Sequence, residues 1–213
     1  MSNDVLDILY CDDSLLAVNK PSGLASVPGK GPHAQDSLTH RVLKSFPHAP
    51  RHPAVHRLDM DTSGIMLFAL DPTTHRALSR QFQDRETQKE YIAQLETPLT
   101  QSHGIIELPF RLDINDRPRQ IYDPVHGKWG TTDWELIENR EDSARVLFRP
   151  LTGRTHQLRI HSAHPLGLAS PIIGDTLYGH GTTHGELRLH SSKLTFTHPT
   201  SLASITITSQ PLW

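Results

Sequence analysis

The chain has one cysteine, Cys11, in 213 residues. An internal disulfide is excluded, and a lone thiol suits a reducing compartment such as the cytosol. No apolar run approaches the roughly 20 residues that a membrane helix needs. The N-terminus, "MSNDVLDILYCDDS", carries acids early and lacks both a basic n-region and a long apolar core, so no signal peptide is expected. "GKGPH" lacks the spacing and the Gly-Lys-Ser/Thr ending of a phosphate-binding loop, and "GHGTTH" lacks the third glycine and preceding strand of a dinucleotide fingerprint. His161 and His164 are two of fifteen histidines, with no acid or cysteine nearby in metal-ligand spacing, so no metal site is expected. A G-x-S-x-G elbow is missing, which argues against a serine hydrolase.

What is present is a globular composition, 36% hydrophobic and 21% charged, long enough for one sizeable core or one core with two lobes. The net charge of −2 is nearly neutral but unevenly spread. No acid lies between Asp36 and Asp59, where Arg41, Lys44, Arg51, Arg57 and four histidines stand. From Ser143 to Gly174 acids are again absent, while Arg145, Arg149, Arg154 and Arg159 are present. The acids gather at Asp4 to Asp13 and Asp133 to Asp142. Such basic segments either form a positive face for a polyanion or are solvated charges on unrelated surfaces.

Periodicity predicts an α+β fold with a mainly antiparallel mixed sheet, because strands follow one another directly in several places. Two short strands flank the acidic turn of "ILYCDDSLLAVNKPSGL", with Leu15 to Val18 as the second, and "NKPSG" breaks it through Pro21 and Gly23. "DSLTHRVLKSF" predicts a helix capped by Asp36 or Ser37 and stopped by Pro47. Ile65 to Leu70 reads as a strand buried on both faces, "DPTTHRALSRQFQDRE" as a capped helix, and "KEYIAQLE" as a strand with Tyr91, Ala93 and Leu95 on one face. Residues 98 to 130, rich in Pro, Gly and Asp, are expected to hold only short strands. "TTDWELIENRE" and "ARVLFRP" predict an antiparallel pair. "TGRTHQLRIHSAHPLG" predicts a turn into a helix with Thr155 as cap and Gly167 as stop. Two further strands, near Leu187 to Phe196 and Leu202 to Thr208, end the chain.

Two stretches concentrate chemistry. "HRLDMDTSG" crowds Arg57, Asp59 and Asp61 against the mouth of a buried strand. "DTSG" shares part of the aspartic-protease loop, but that chemistry needs two carboxylates sharing a proton, and no second loop is present. Asp61, Thr62 and Ser63 also suit a turn held by short polar side chains. In "RPLTGRTHQLRIH", Arg154 stands at a predicted helix start, where a cation needs an anionic partner. Leu158, four residues on, is expected to share its face.

Taken together, "HRLDMDTSG", "KEY" and "GRTHQLRIH", in this order, resemble the three motifs of the RluA family of RNA pseudouridine synthases. "VNKPSGLASVPG" and "GDTLYG" add two family-like stretches, so the resemblance runs from about Ile8 to the C-terminus. It implies the pseudouridine synthase α+β core as a single catalytic domain over 1–213, with no separate N-terminal RNA-binding domain. The implied reaction breaks the N1–C1′ bond of a uridine in RNA, turns the uracil and joins C5 to C1′. Carried over residue by residue, Asp59 is implied as the catalytic aspartate, Tyr91 as the group that stacks on the base and helps remove the C5 proton, and Arg154 as the partner of Asp59. Leu158 would pack on the base, and Arg57 would fill the gap left in the RNA. His56 and Lys89, from the same motifs, join the substrate-binding set.

These implied roles suit the chemistry. A nucleophile or base must be ionised, and a neighbouring arginine favours that form of a carboxylate. Nothing in the scheme needs a metal or an organic cofactor. The acid-free segments coincide with the motifs and read as lining one RNA groove. "QFQDRETQKEY", "LPFRLDINDRPRQ" and the short length are most similar to the stand-alone member for which the family is named. That similarity implies 23S ribosomal RNA and the anticodon stem-loop of transfer RNA as partners, a monomer in the cytoplasm, and no DNA or membrane partner. The rival readings are a catalytically silent RNA-binding protein of the same fold and a hydrolase using Asp59 with Asp61. The loops "HSAHPLGLASPIIGD" and "PHAPRHPAVH" are longer than their counterparts in that member.

Overall fold

Two continuous apolar runs, "LLAV" and "IMLFA", organise the N-terminal part of the fold. They become neighbouring antiparallel strands, β2 (Leu15–Lys20) and β3 (Ser63–Ala69), with Leu16 facing Phe68 and Val18 facing Met66. Strands covered on both faces read as unbroken hydrophobic runs, which is why no alternation is visible in either. The computed structural model describes residues 5–29 and 36–213. The first four residues, with Asp4, and the part of "GKGPH" beyond Gly29 lie outside the described residues.

The described chain forms two compact units. The first runs up to Lys89 and resumes over His190–Leu212. It holds β1 (Ile8–Cys11), β2, α1 (Leu38–Ser45), β3, α2 (Pro72–Asp84), β9 (Leu189–Thr197) and β10 (Ser204–Thr208), with strand order β1-β2-β3-β9-β10. β3 and β9 pair in parallel, at Ser63–His190 and Gly64–Ser191. Leu15, Ala17, Ile65, Leu67, Leu78, Leu194, Phe196 and Ile207 form its core. The helix caps follow the expected chemistry. Ser37 rather than Asp36 caps α1, accepting from the His40 N–H at 3.2 Å, while Asp36 pairs with Arg41. Asp71 caps α2 by accepting from Thr73 and Thr74 N–H, Pro72 opens the helix, and Arg85 ends it in the left-handed region.

The second unit, Glu90–Leu189 with Trp213, is antiparallel throughout its named pairings. Its strands are β4 (Gln88–Leu95), β8 (Ala144–Pro150), β7 (Lys128–Asn139), β5 (His103–Leu112) and β6 (Gln120–Tyr122), in that spatial order, with α3 (Gln157–Ala163). Its core includes Ala93, Leu108, Phe110, Trp134, Phe148, Leu158 and Ile160.

The sequence expectations fail here in two places. Residues 98 to 130 hold more than short strands. β5 has ten residues and pairs with β7 from His103–Glu135 to Phe110–Lys128. Pro109 does not break it: regular pairing with β6 covers only Phe110–Leu112, and at the proline, which has no N–H to give, the carbonyl accepts from the Asp123 N–H at 3.0 Å. The helix expected from Thr155 to Gly167 starts later and stops earlier. His156 takes a left-handed conformation (φ 56) immediately before α3, so Thr155 is not the cap. Pro165 disfavours helical backbone at the residue before it, and His164 turns out to ψ 139, ending α3 at Ala163. Arg154 therefore precedes the helix, and the one-face relation to Leu158 does not hold. No helix among the described residues is long and apolar enough to cross a membrane.

Gly64 brings β3 close against β9. Its φ is +110, and a Cβ there would lie 2.3 Å from the carbonyl oxygen of Ser191 on β9. Gly64→Ala should cost about 2–4 kcal/mol, combining a forbidden backbone with overpacking. Thermal denaturation should show a midpoint lower by about 5–15 °C. A midpoint within about 2 °C of wild type would contradict this close strand approach.

Candidate active site

The residues singled out from the sequence divide between the two units. His56, Arg57, Asp59 and Lys89 lie in the first, and Tyr91, Arg154 and Leu158 in the second. Asp59 is half-buried on the loop between α1 and β3, with Arg57 exposed beside it. Asp61 is buried. The Thr62 N–H closes the turn on the Asp59 carbonyl at 3.1 Å. Ser63, read from sequence as part of the turn, also reaches away from it. Its hydroxyl meets His190 Nδ1 at 2.9 Å, and the other ring nitrogen of His190 meets Ser209 at 3.1 Å.

The backbone of this loop is held by side chains from residues 20–26. Ser26 donates to the Leu58 carbonyl at 2.6 Å and accepts from the Leu58 N–H at 3.1 Å. Ser22 donates to the Asp61 carbonyl. Lys20, with no exposed surface, donates to the carbonyls of Met60 (2.7 Å), Leu24 (2.7 Å) and Pro21 (2.9 Å). Burial pushes the Lys20 ammonium down to about 7, against the opposing pull of the Asp61 and Asp59 carboxylates. The holding segment is fixed in turn by α1, whose Leu38 and Thr39 N–H groups bond the Ala25 and Ser26 carbonyls. Neither Lys20 nor the serines were singled out from the sequence. Period-2 alternation could have found the lysine, because Leu16, Val18 and Lys20 share one face of β2.

His56 is engaged by the fold. Its Nε2 accepts from the Leu67 N–H at 3.0 Å, and its ring stacks on Phe82 at 4.4 Å between centroids. Burial pushes its imidazole down to about 3, with the Lys89 charge adding to the effect. Lys89 is itself lowered, by burial and then by Arg85.

In the second unit, Tyr91 is half-buried in the middle of β4, opposite Phe148, and packs against the core cluster that contains Leu158. Arg154 is exposed, on a loop tied down by the buried Gln157. The Gln157 side-chain oxygen accepts from the Arg154 N–H (3.1 Å) and the Thr152 hydroxyl (2.7 Å), while its nitrogen donates to Thr131 and Thr132. Arg159 and Asp175, both buried, form a two-pronged ion pair at 2.8 and 2.6 Å. Burial pushes the Asp175 carboxyl up. The Arg159 bonds and charge, with the N–H groups of Leu177 and Tyr178, outweigh that and hold it below the usual range. The Tyr178 hydroxyl accepts from the Gln120 N–H at 2.6 Å and is hydrogen-bonded to His156 Nδ1 at 2.9 Å. That bond braces the left-handed residue that separates Arg154 from α3.

The acid-free segment around Arg154 is less basic than its sequence suggests. Arg149 faces Asp133 across the β7–β8 ladder and bonds Asp133 at 3.1 Å and Glu135 at 2.7 Å. Arg145 lies over the Trp213 ring, and Arg159 is spent on Asp175. Arg159 is therefore buried and not presented at the surface, and the charge of Arg149 is offset by its two acidic partners. Among the described residues, no group of three or more His, Cys, Asp or Glu side chains is placed to hold a metal.

Comparison with known proteins adds to this geometry. The RNA pseudouridylate synthase family profile matches residues 14–164. A dual-specificity RNA pseudouridine synthase RluA of Yersinia pestis is 43% identical over 196 residues, covering 90% of this chain and 92% of that protein. The protein of the same name from Haemophilus influenzae is 44% identical over 209 residues, covering 96% and 93%. Among solved structures, human RNA Pseudouridylate Synthase Domain Containing 1 superposes with a TM-score of 0.81 at 26% identity, covering 99% of this chain and 85% of that one.

The neutral histidines give the site a pH signature. Burial lowers His190 to about 4 and His56 to about 3, both below the ordinary 6.5. Their contribution to stability is complete above about pH 6.5 and is lost as pH falls below it, by up to about 1.4 kcal/mol per pH unit for each ring. Thermal midpoints should drop between pH 7 and pH 5, and His190→Gln should reduce the slope by about one proton. An unchanged slope in the variant would mean that the folded protein accepts the proton at His190.

Proposed function

Because the chain belongs to the RNA pseudouridylate synthase family, we propose that it isomerises specific uridines in 23S ribosomal RNA, in the anticodon stem-loop of transfer RNA, or in both. The supporting observation is the match over nine tenths or more of both chains to relatives named as dual-specificity enzymes. Asp59 is the reacting carboxylate in this reading. It sits half-buried on a loop whose neighbouring carbonyls are bonded, so its backbone does not have to reorganise when the substrate arrives. The target uridine leaves its stack at a cost of about a few kcal/mol. Arg57, exposed beside Asp59, takes the vacated place, and Tyr91 offers a stacking face worth about 1–3 kcal/mol. Arg154 supplies a cation for the carboxylate, and Leu158 an apolar contact for the base. Lys89 and His56 act on the substrate side of the same motif segments, His56 through the shape its stacked ring gives the loop. The N1–C1′ bond breaks, the uracil turns, C5 bonds to C1′, and the C5 proton is lost as N1 gains one. The two units work as one catalytic domain, in a cytoplasmic monomer that uses no metal or organic cofactor.

Pseudouridine mapping of ribosomal and transfer RNA in a deletion strain tests this reading. One or more sites in those RNAs should disappear. The wild-type gene should restore them, and Asp59→Asn should not, while RNA affinity stays within about twofold because only one carboxylate oxygen is exchanged. Full restoration by Asp59→Asn, or no lost site in either RNA, would overturn it.

A further inference from the structure

The acid-free segment of the first unit contains a loop that lies outside the family motifs. It runs from Pro47 to His52, after α1. Both of its ends are fixed. The Ala49 N–H bonds the Phe46 carbonyl at 3.0 Å. On the far side the Pro53 carbonyl accepts from the Ala69 N–H at 2.8 Å, Ala54 bridges to Phe68, and the Val55 N–H bonds the Leu67 carbonyl at 3.3 Å. Pro47, Pro50 and Pro53 restrict the backbone in between. This stiff loop exposes His48, Arg51 and His52. Among the described residues no acid pairs with any of the three, whereas Arg41, Arg111, Arg119, Arg140 and Arg149 each meet an Asp or Glu.

The surroundings of the loop are basic as well. His75 of α2 donates to the Ala54 carbonyl at 3.4 Å, and Phe82 stacks on His56, so this helix lies against the same segment. The buried row of α2 is Thr74, Leu78 and Gln81. Arg76 and Arg80, one turn apart, occupy an exposed row on the other side of His75. Arg76 answers the Asp71 carboxylate, and among the described residues Arg80 pairs with no acid. Arg57 follows Arg51 by six residues, a span of at most about 22 Å even when extended. That is less than one turn of a nucleic-acid duplex, about 34 Å.

We propose that the loop of residues 47–52 is a second RNA contact beside the active site: Arg51 pairs with a backbone phosphate of the stem next to the target uridine, and His48 and His52 contact the same strand. This rests on the reading of the chain as an enzyme acting on structured RNA. RNA fits better than an acidic protein because the loop and Arg57 share one acid-free segment, and a phosphate backbone supplies negative charge continuously along it. Arginine suits phosphate, since its planar fork gives two parallel bonds and its charge is permanent. Imidazoles can stack on an unpaired base beside it. A loop already stiffened by prolines loses little freedom on binding. Phosphate contacts position the RNA and do not read its sequence. They are made equally before and during the reaction, so the loop acts on KM and not on kcat.

The test is binding and tritium release with C5-tritiated transfer-RNA and 23S ribosomal RNA transcripts, using the full chain over a series of salt concentrations. Arg51→Gln should lower the slope of log affinity against log salt by about 1, the value for one lost phosphate contact. Replacing His48, Arg51 and His52 together by Gln should weaken binding about 3-fold to 30-fold at about 0.1 M salt and raise KM alike, with kcat within about twofold. The thermal midpoint should not move, because these side chains are exposed and make no bonds to lose. Arg140→Gln removes an exposed cation of the second unit that is paired with Glu138, and it should leave slope and KM unchanged. An unchanged slope and KM in the triple variant would overturn the proposal. So would an equal change of slope in Arg140→Gln, or a fall in kcat at constant KM. Wild type that binds neither RNA overturns both the proposal and the functional reading. Wild type that binds but releases no tritium removes the functional reading and leaves the slope to decide the loop. An active wild type whose slope is indifferent to Arg51→Gln removes only the loop contact.

Discussion

The structure of the first unit turns on the bonding of one irregular loop by another. Residues Leu58 to Asp61 belong to no helix or strand, yet Leu58 and Asp61 are buried and Asp59 is half-buried. Buried carbonyls need donors, and a loop that lacks them is not held in one conformation. Ser26, Lys20 and Ser22 supply those donors to Leu58, Met60 and Asp61, and Thr62 supplies the one for Asp59. The loop is thus a rigid element without regular secondary structure. β3 anchors its far end, and Gly64 lets β3 approach β9. A functional carboxylate on such a loop has its geometry set before any substrate binds.

The second unit reaches the same end by other means. Gln157 reaches back from the first turn of α3 to hold the Arg154 peptide. The left-handed His156 would strain a free chain, and the Tyr178 hydroxyl braces it. Tyr178 in turn follows Asp175, whose carboxylate bonds its N–H and pairs with the buried Arg159. Breaking one half of such a pair leaves an uncompensated buried charge, so the "GDTLYG" segment is part of the support for the "GRTH" loop rather than a separate feature.

Much of this was legible in the residues. β2, β3 and β4, and the helices α1 and α2, follow from apolar runs, alternation and caps, because in those places local preference and tertiary packing agree. β5 was obscured by Gly104 and Pro109, whose local signal is a break, while the long β7 partner overrides it. The start of α3 was misplaced because a left-handed histidine has no sequence signature. The charge blocks misled for a topological reason. The acidic run from Asp133 and the basic run from Arg145 lie apart in sequence, and antiparallel pairing of β7 with β8 brings Asp133 and Glu135 against Arg149. Lys20 was passed over as part of a Pro-Gly break, although the inward face of β2 already pointed to it. Asp59 itself was not distinguishable from Asp61 by composition or spacing. The family motif chose between them, and the structure adds that Asp61 is the buried one.

The central claim is that side chains from residues 20–26 hold the Asp59 loop in one conformation. Amide hydrogen exchange of wild type and Lys20→Met measures this directly. The Leu58 and Thr62 amides, which donate to Ser26 and to the Asp59 carbonyl, report on the loop itself. Faster exchange by about 10-fold or more, confined to Leu58–Gly64 and to the segment after β2, is the expected result, since a factor of ten corresponds to about 1.4 kcal/mol of local opening. Unchanged exchange in that loop, or an equal increase throughout the chain, would contradict the account.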